Sequence, residues 1–273
     1  TYCTIPMARG KSRSPRIKDV MKHIKSLESK NIKEIILSGI NVGDFGRSNN
    51  ESFIELLNEI NEQTNIPRIR ISSIEPNLIS DEIVDFISSN KKFMPHLHIP
   101  LQSGSDLVLR EMKRKYTVQM YSDKIHKIKS QIKDCTIGVD IMTGFPGETE
   151  ECFNDTYNLL NDLPVSYLHV FPFSERENTL ADKMENKIDL DVRYARAKIL
   201  RRLSQLKFRE VQQKNINSVH PVLFEVSEDG FVSGLTDNYI RVRIPQNDIE
   251  RSNSICDVRL IDIKDGLMLG EIS

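Results

Sequence analysis

The sequence has few cysteines, no long apolar run and no excess of charge of either sign. Its four cysteines are scattered along the chain, which argues against a disulfide framework and fits a reducing compartment. No apolar run approaches the roughly 20 residues that a membrane-spanning helix needs, and no charged head followed by an apolar stretch opens the chain. We therefore expect a cytoplasmic protein without a membrane segment or a signal peptide.

The charges are balanced over the whole chain. Lysine and arginine number 38 against 39 aspartates and glutamates, so the net charge is −1 at pH 7. Any RNA-binding surface must therefore come from local clusters of basic residues. The 273 residues are enough for one large domain and a small one. The chain starts at Thr1 rather than at a methionine and reaches Cys3 at once, so we expect a segment upstream.

Helix and strand patterns alternate from Pro15 to about Phe173. Apolar residues at helical spacing are followed each time by a short apolar strand. The predicted strands are 34–38, 68–73, 96–100, 136–143 and 167–173. Strands joined by helices of this length lie parallel, and ligands bind at their C-terminal ends. Because five strands cannot close an eight-stranded barrel, we predict a partial α/β barrel of six strands whose first strand precedes Thr1.

The pattern changes after the fifth strand. Residues 191–214 predict one long and strongly basic helix. Its predicted apolar side carries Leu200, Leu203, Leu206 and Val211. After Ser218 the apolar period becomes two, with turns at Asp229-Gly230 and Asp265-Gly266, which predicts a small antiparallel β-barrel. The boundary falls near residues 215–218, so the predicted domains are 1–214 and 215–273.

A polar or glycine-rich cluster follows every strand of the first domain. Each cluster alone is more often an ordinary connection, but five clusters on one rim predict a binding site. Gly39 and Gly144 would let a ligand approach the backbone closely. Glu75, Gln102 and Asp140 offer hydrogen-bond partners for a sugar or an amino acid.

Other residues that could bind a metal are interpreted as core residues. Cys135, Cys152 and Cys256 have no metal-ligand spacing. The three histidines of the apolar strands, His96, His98 and His169, are also interpreted as core residues rather than ligands.

The first fourteen residues carry a resemblance to a known family. The run Thr-Tyr-Cys-Thr-Ile-Pro-Met-Ala-Arg-Gly-Lys-Ser-Arg-Ser resembles the sequence around and after the third cysteine of the Cys-x3-Cys-x2-Cys motif of radical S-adenosylmethionine methylthiotransferases. Cys3 takes the place of that third cysteine. The likeness continues through 37–46, 71–76, 96–106, 138–151 and 167–176. The C-terminal residues, about sixty in number, resemble TRAM, the small RNA-binding barrel that ends this family.

The resemblance implies a partial (β/α)6 TIM-like radical SAM barrel with two cofactors, a 4Fe–4S cluster and S-adenosylmethionine. In such enzymes three thiolates hold the cluster, and an electron from it breaks the sulfonium bond to give a 5′-deoxyadenosyl radical. Cys3 is expected to bind the cluster. The other two cluster cysteines and a domain with a second cluster would precede Thr1, so the chain alone is expected to be inactive. The predicted contacts to S-adenosylmethionine are Gly39, Asn41, Glu75, Gln102, Ser103, Asp140 and Gly144.

The run Ser38–Gly46 looks most like the branch of the family that adds a methylthio group to C2 of the adenine of N6-threonylcarbamoyladenosine in tRNA. The branch acting on isopentenyladenosine usually has Gln-Asn where this chain has Ile40-Asn41. The resemblance implies tRNA and a reducing electron donor as partners. The predicted RNA contacts are Arg9, Lys11 and Arg13 after the cluster loop and Arg241 and Arg243 on the small barrel, with Arg251 and Arg259 on the same face. A solvated run of charge is the alternative for the first group.

Three other functions stay open. The chain could belong to the branch that modifies an aspartate of a ribosomal protein, although Ile40–Gly46 speaks against it. It could be a non-catalytic RNA-binding module that uses the barrel as a scaffold. It could also be a phosphate-binding barrel enzyme with Gly144–Thr149 as an anion cradle, but a dinucleotide fingerprint is absent.

Overall fold

The computed structural model of the protein describes residues 1–228, 230–245 and 252–273. The helices are α1 (Ile5–Arg9), α2 (Ile17–Glu28), α3 (Phe53–Gln63), α4 (Asp81–Ser89), α5 (Asp106–Glu111), α6 (Val118–Gln131), α7 (Glu150–Asp162) and α8 (Leu190–Lys214). The strands are β1 (Glu34–Leu37), β2 (Arg68–Ile71), β3 (His96–His98), β4 (Thr136–Thr143), β5 (Tyr167–Pro172), β6 (Val219–Glu228), β7 (Phe231–Thr236), β8 (Arg241–Pro245), β9 (Ile255–Lys264) and β10 (Leu267–Ile272). Within these described ranges, no helix is both long enough and apolar enough to cross a membrane.

Five parallel strands form an open barrel in the first part of the chain. β1 pairs with β2, and β4 pairs with both β3 and β5. Isolated bridges at Ile69↔Phe93 and Ser73↔His98 connect β2 to the side of β3. The strand order follows the chain order, with helices between successive strands, as parallel pairing requires. The predicted partial α/β barrel is confirmed, whereas the sixth strand before Thr1 stays a prediction.

Side-chain caps define several helix starts. The hydroxyl of Ser52 accepts from the backbone N–H of Glu55 at 3.3 Å, and the Glu55 carboxylate accepts from the backbone N–H of Ser52 at 2.7 Å. Ser80, Thr117 and Thr149 accept in the same way at the starts of α4, α6 and α7. Each cap satisfies a backbone donor that the helix cannot, which is worth about 1 kcal/mol.

The two faces of the parallel strands differ in polarity. Apolar residues such as Ile69, Leu97 and Val139 point outward and share one core with the surrounding helices. Because side chains alternate along a strand, their neighbours point into the barrel. These inward residues include Arg70, His96, His98, Asp140 and His169. The interior of the partial barrel is therefore polar. Arg70 and His96 are buried in it, whereas His98 and Asp140 are half-buried and His169 is exposed.

The two edge strands of the open barrel, β5 and β1, differ in the partners of their backbone groups. Along β5, the Ser204 hydroxyl accepts from Leu168 N–H at 2.8 Å and donates to Leu168 C=O at 3.1 Å, while Arg201 donates to Val170 C=O at 3.2 Å. Side chains of α8 thus satisfy backbone groups that an edge strand leaves free. β1 pairs only with β2 among the described strands, and its Ile36 side chain borders a cavity of about 830 Å³.

α8 departs from its predicted amphipathic pattern. Leu200 and Leu203 are buried as predicted, but Leu206 is 54% exposed. The reason is that α8 lies along the edge of β5, so only a narrow strip of the helix is covered. Several of its long basic side chains are buried instead, among them Arg193, Arg196 and Lys207.

The last five strands form a closed barrel in the order β10-β8-β7-β6-β9. Its neighbouring strands are antiparallel except β8 and β10, which pair in parallel at Met268↔Val242. The prediction of an antiparallel barrel is wrong at this pair, because an odd number of strands cannot alternate in direction around a closed ring. Asp265 and Gly266 both have positive φ, as the tight β9–β10 hairpin requires. Asp229 of the other predicted turn lies outside the described residues.

The N-terminal end of the partial barrel is closed by the small barrel. Arg68 donates to the carbonyl oxygens of Leu235 at 3.1 Å and Thr236 at 2.9 Å, and Arg70 donates to that of Asp237 at 3.2 Å. Both guanidinium groups also bind the Glu34 carboxylate, at 2.7 Å from Arg68 and 3.1 Å from Arg70. The buried charges are thus paired and hydrogen-bonded, as burial demands.

An aromatic stack completes this closure. The Tyr239 ring lies 4.1 Å from the His96 ring, and the Arg70 guanidinium lies 4.8 Å from the Tyr239 ring centre. His96 Nε2 is 2.7 Å from the Tyr167 hydroxyl. Burial, with the charge of Arg70, lowers the pKa of His96 to about 3. His96 is therefore neutral at physiological pH, and its interpretation as a core residue is consistent with this position.

Candidate active site

A hydrogen-bonded network spans the C-terminal ends of the strands. Arg114 Nη1 donates to Glu75 Oε1 at 2.7 Å, and Arg114 Nη2 donates to the Tyr2 hydroxyl. The Glu75 backbone N–H donates to Asn41 Oδ1 at 3.2 Å. Tyr2 precedes Cys3 in the chain, so the network connects the candidate cluster cysteine to the loops after β1 and β2. Two of the predicted site residues, Asn41 and Glu75, are brought into direct contact.

The network has unused binding capacity. Arg114 Nε is buried and has no hydrogen-bond partner within the described part of the chain. Arg114 binds one oxygen of Glu75 and leaves the other for a ligand. Burial raises the pKa of the Tyr2 hydroxyl, so Tyr2 is neutral and can donate or accept. A site with charged groups held in place and free hydrogen-bonding atoms suits a polar, zwitterionic ligand.

A second polar cluster lies inside the barrel below this rim. His98 Nδ1 is 2.5 Å from the Ser73 hydroxyl, and His98 Nε2 is 3.0 Å from Asp140 Oδ1. The His98 and His169 rings meet edge to face at 5.3 Å. Burial lowers the pKa of His169, with a further contribution from His98. His169 is exposed, so its interpretation as a core residue is wrong; it lines the open interior because it alternates with buried Leu168 and Val170.

Gln102 and Ser103 lie in the loop after β3. Gln102 has a positive φ of 70°, and its backbone binds β4 through its N–H to Asp140 C=O at 2.9 Å. Ser103 is buried, and its hydroxyl accepts from the Ser105 backbone N–H at 3.2 Å. The structure therefore gives Ser103 a role in shaping its own loop, while the contact predicted for the Gln102 side chain stays a prediction.

The two predicted glycine contacts have different surroundings. A Cβ at Gly39 would meet only Val42 Cγ1 at 3.6 Å, an ordinary contact. At Gly144, which has a φ of 74°, a Cβ would lie 2.2 Å from Arg193 Cγ. The fold alone therefore requires glycine at 144, so the cofactor role predicted for Gly144 has no separate support. Gly39 is not required by the fold, and its predicted contact with S-adenosylmethionine stays a prediction.

Cys3 is exposed, whereas Cys135 and Cys152 are buried. Burial raises the pKa of the Cys135 thiol to about 12. Among the described residues, no group of three or more histidine, cysteine, aspartate or glutamate side chains could hold a metal ion. The described residues therefore do not bring together three thiolates for an iron–sulfur cluster, and Cys3 is the one exposed thiol among them.

The predicted RNA contacts fall into two groups. Arg9, Lys11 and Arg13 are exposed and border the cavity beside β1. Arg241 binds the Glu225 carboxylate at 3.2 Å, and the Arg243 guanidinium lies 5.3 Å from the ring centre of Phe231. Arg241 and Arg243 therefore have partners within the protein, and Arg259 is exposed. Arg251, predicted on the same face, lies outside the described residues.

Sequence reasoning missed Tyr2, Arg114 and His98 as site residues. Arg114 lies between α5 and α6, so a search restricted to strand ends does not find it. Its partners Tyr2 and Glu75 are far from it in the sequence, so no local pattern identifies it. His98 was assigned to the core because its strand is apolar on the other face.

Comparison with known proteins gives matches over most of the chain. The family model described as the Radical SAM superfamily matches residues 1–160. The threonylcarbamoyladenosine tRNA methylthiotransferase MtaB of Bacillus subtilis (strain 168) is 39% identical over 249 residues, which cover 89% of this chain and 55% of that protein. MtaB of Aquifex aeolicus (strain VF5) is 36% identical over 243 residues, covering 89% of this chain and 58% of that protein.

A relative with a different named product also matches. The tRNA-2-methylthio-N(6)-dimethylallyladenosine synthase of Clostridium perfringens (strain SM101 / Type A) is 41% identical over 198 residues, covering 72% of this chain and 44% of that protein. The chain thus spans about half the length of the curated relatives it matches.

Proposed function

The chain belongs to the radical SAM superfamily, and from that membership we propose that it is the catalytic and RNA-binding portion of a tRNA methylthiotransferase. The observation that carries the proposal is the network from Tyr2 through Arg114 and Glu75 to Asn41, which unites the neighbour of Cys3 with the strand-end loops. The relatives named above, two MtaB proteins and a dimethylallyladenosine synthase, support methylthio transfer to tRNA as the reaction.

The residues present fit S-adenosylmethionine but not a complete iron–sulfur cluster. A cluster held by three thiolates would need two cysteines beside Cys3, and the described residues form no such group, so we assign only Cys3 to it and derive no step through it. For S-adenosylmethionine, the buried and unpartnered Arg114 Nε and the open backbone at Gly39 are features that a ligand would satisfy. When both are bound, the pair supplies a 5′-deoxyadenosyl radical.

The roles of this chain's own residues follow from their contacts. Arg114 fixes the Glu75 carboxylate, which is placed to accept from a ribose hydroxyl or an ammonium group. His98, which is hydrogen-bonded to Ser73 through Nδ1, holds the Asp140 carboxylate through Nε2. Tyr2 is held beside Cys3 by Arg114 and by an edge-to-face contact with Phe145 at 6.2 Å. The small barrel closes the opposite end, which keeps water away from a reactive intermediate.

For the substrate we propose the adenine C2 position of N6-threonylcarbamoyladenosine in tRNA, with dimethylallyladenosine as the second candidate. Ile40-Asn41 stands where the second branch usually has Gln-Asn. The MtaB relatives each cover 89% of this chain, against 72% for the dimethylallyladenosine synthase named above, although that synthase is slightly more identical where it aligns. A second cluster, a reducing electron donor and a cytoplasmic location belong to the same proposal.

Nucleoside mass spectrometry of tRNA from a deletion strain tests the proposal. We expect threonylcarbamoyladenosine to lose its methylthio group and to regain it when the full-length gene is restored. A strain restored with Glu75→Ala should stay unmodified, whereas one restored with the exposed-site control Glu225→Ala should recover. Loss of the methylthio group from a ribosomal protein or from dimethylallyladenosine alone would contradict the substrate, and an unchanged strain would contradict the activity.

A further inference from the structure

The long helix α8 has an unusual charge distribution. Between Val192 and Arg209 it contains no aspartate or glutamate. The basic residues in this stretch are Arg193, Arg196, Lys198, Arg201, Arg202, Lys207 and Arg209. Charge that dense on one helix repels itself unless partners balance it. The structure separates these residues into those with partners and those without.

The buried basic residues of α8 are used within the fold. Arg193 binds the Glu175 carboxylate at 2.6 Å, and Arg196 binds that of Glu148 at 3.3 Å. Lys207 donates to the carbonyl oxygen of Leu163 at 2.8 Å. These three side chains tie α8 to the partial barrel, and their charges are not available to a ligand.

The exposed basic residues form a separate line. Lys198, Arg202 and Arg209 are exposed and form no ion pair or hydrogen bond with any residue that the structure describes. With the exposed side chains of Tyr194 and Gln205, they recur at steps of four, four, three and four residues, which places them on one helix face. We call Tyr194, Lys198, Arg202, Gln205 and Arg209 the α8 stripe. At 1.5 Å per residue it is roughly 22 Å long.

The position of α8 connects the two ends of the molecule. Near its start, Arg193 packs on Gly144 and Phe173 at the C-terminal rim of the strands. Near its end, Gln212 donates to Gly266 C=O of the small barrel at 2.8 Å. The α8 stripe therefore runs from the candidate active site towards the other barrel. The Arg241 charge on that barrel is partly balanced by Glu225, so the stripe offers freer positive charge.

We infer that the α8 stripe binds the phosphate backbone of tRNA and bridges the rim and the small barrel. The inference rests on the proposed function. A line of unpaired cations fits a polyanion of regular charge spacing, and an exposed tyrosine at the rim end fits a base or sugar beside it. Lysine and arginine contacts to phosphate hold RNA in register without reading sequence. The stripe would position the tRNA while the rim binds the modified adenosine.

The test is the salt dependence of tRNA binding by the full-length protein. The variant is the triple Lys198→Gln, Arg202→Gln, Arg209→Gln, and the probe is an unmodified tRNA transcript. The matched control is Lys18→Gln, Lys22→Gln, Lys91→Gln, which removes the same charge from exposed lysines without partners in the described structure. Since each phosphate contact contributes about 0.9 to the slope of log K against log salt, the stripe variant should lose roughly two to three units of slope.

At moderate salt we expect the stripe variant to bind at least about tenfold more weakly and the control to change less than about twofold. Unchanged melting of both variants would show that neither acts through stability. Equal slopes for the stripe variant and the control would overturn the inference. That result would stand against tRNA even if the stripe binds another macromolecule, such as an acidic protein. If wild-type protein binds tRNA through the stripe but forms no methylthio product on tRNA that carries threonylcarbamoyladenosine, the proposed function fails and the inference stands. If wild-type protein binds no tRNA, both fail.

Discussion

At the N-terminal end of the partial barrel, Arg68 and Arg70 share the Glu34 carboxylate and donate to several carbonyl oxygens of the small barrel. At the C-terminal end, Arg114 binds Glu75 and Tyr2 but keeps a buried Nε without a partner in the described structure. Both ends place guanidinium groups beside carboxylates. We call the first end saturated because both of its guanidinium groups are used in protein contacts, although the buried His96 Nδ1 there has no partner in the described structure. At the second end a guanidinium nitrogen itself is left for a ligand.

Removing the shared carboxylate tests the saturated end and should give the largest effect on stability. Glu34→Ala would leave Arg68 and Arg70 buried beside each other without their common anion. Breaking a buried ion pair from one side costs about 3–5 kcal/mol. We expect urea denaturation to show a loss of that size. The control Glu225→Ala breaks the exposed pair with Arg241 and should cost at most about 1 kcal/mol. Similar losses of unfolding free energy in both variants would contradict the stabilising role assigned to the buried Glu34 pair.

The two rim glycines, Gly39 and Gly144, test the C-terminal end of the partial barrel. Gly144→Ala combines a positive φ with a clash against the pinned side chain of Arg193, so it should destabilise the protein by about 2–4 kcal/mol. Gly39→Ala meets only ordinary contact, so it should change stability by less than about 0.5 kcal/mol. It should nevertheless weaken S-adenosylmethionine binding about tenfold, the effect of roughly 1.4 kcal/mol of lost contact. Thermal melts and equilibrium dialysis on both variants separate the two roles.

Acid should open the saturated end through His96. Its folded pKa, about 3, lies below the ordinary value of 6.5, so the unfolded chain takes up the proton first as the pH falls. The contribution is present above pH 6.5 and is lost as pH falls from there towards 3. Between pH 7 and pH 5 the loss should be about 2 kcal/mol. His96→Gln should flatten this pH dependence of unfolding, and the exposed control His23→Gln should not. If the unfolding free energies of both variants depend on pH equally, burial of His96 is not the cause of the acid sensitivity.

The sequence predicted the elements that local patterns specify. The five parallel strands, the long helix and the small barrel follow from apolar period and turn residues, and the structure has them within a few residues of the predicted bounds. Long-range polar contacts were not predictable in this way. Glu34 meets Arg68 and Arg70 only after the strands pair, and Arg114 reaches Tyr2 across more than a hundred residues. Leu206 was predicted to be buried because it is apolar and recurs at helical spacing. It is exposed because α8 lies along the edge of β5, and apolar periodicity does not show how much of a helix is covered.

Hydrogen–deuterium exchange on the reconstituted full-length protein, with and without S-adenosylmethionine, shows directly which end of the partial barrel binds the cofactor. If the unsaturated end binds the cofactor, backbone amides of residues 37–46, 71–76 and 138–144 should become protected on binding. Residues 234–240, which close the saturated end, should exchange at an unchanged rate. Protection confined to 234–240, or no protection at the three rim segments under conditions where dialysis shows binding, would contradict the assignment of the C-terminal rim as the cofactor site.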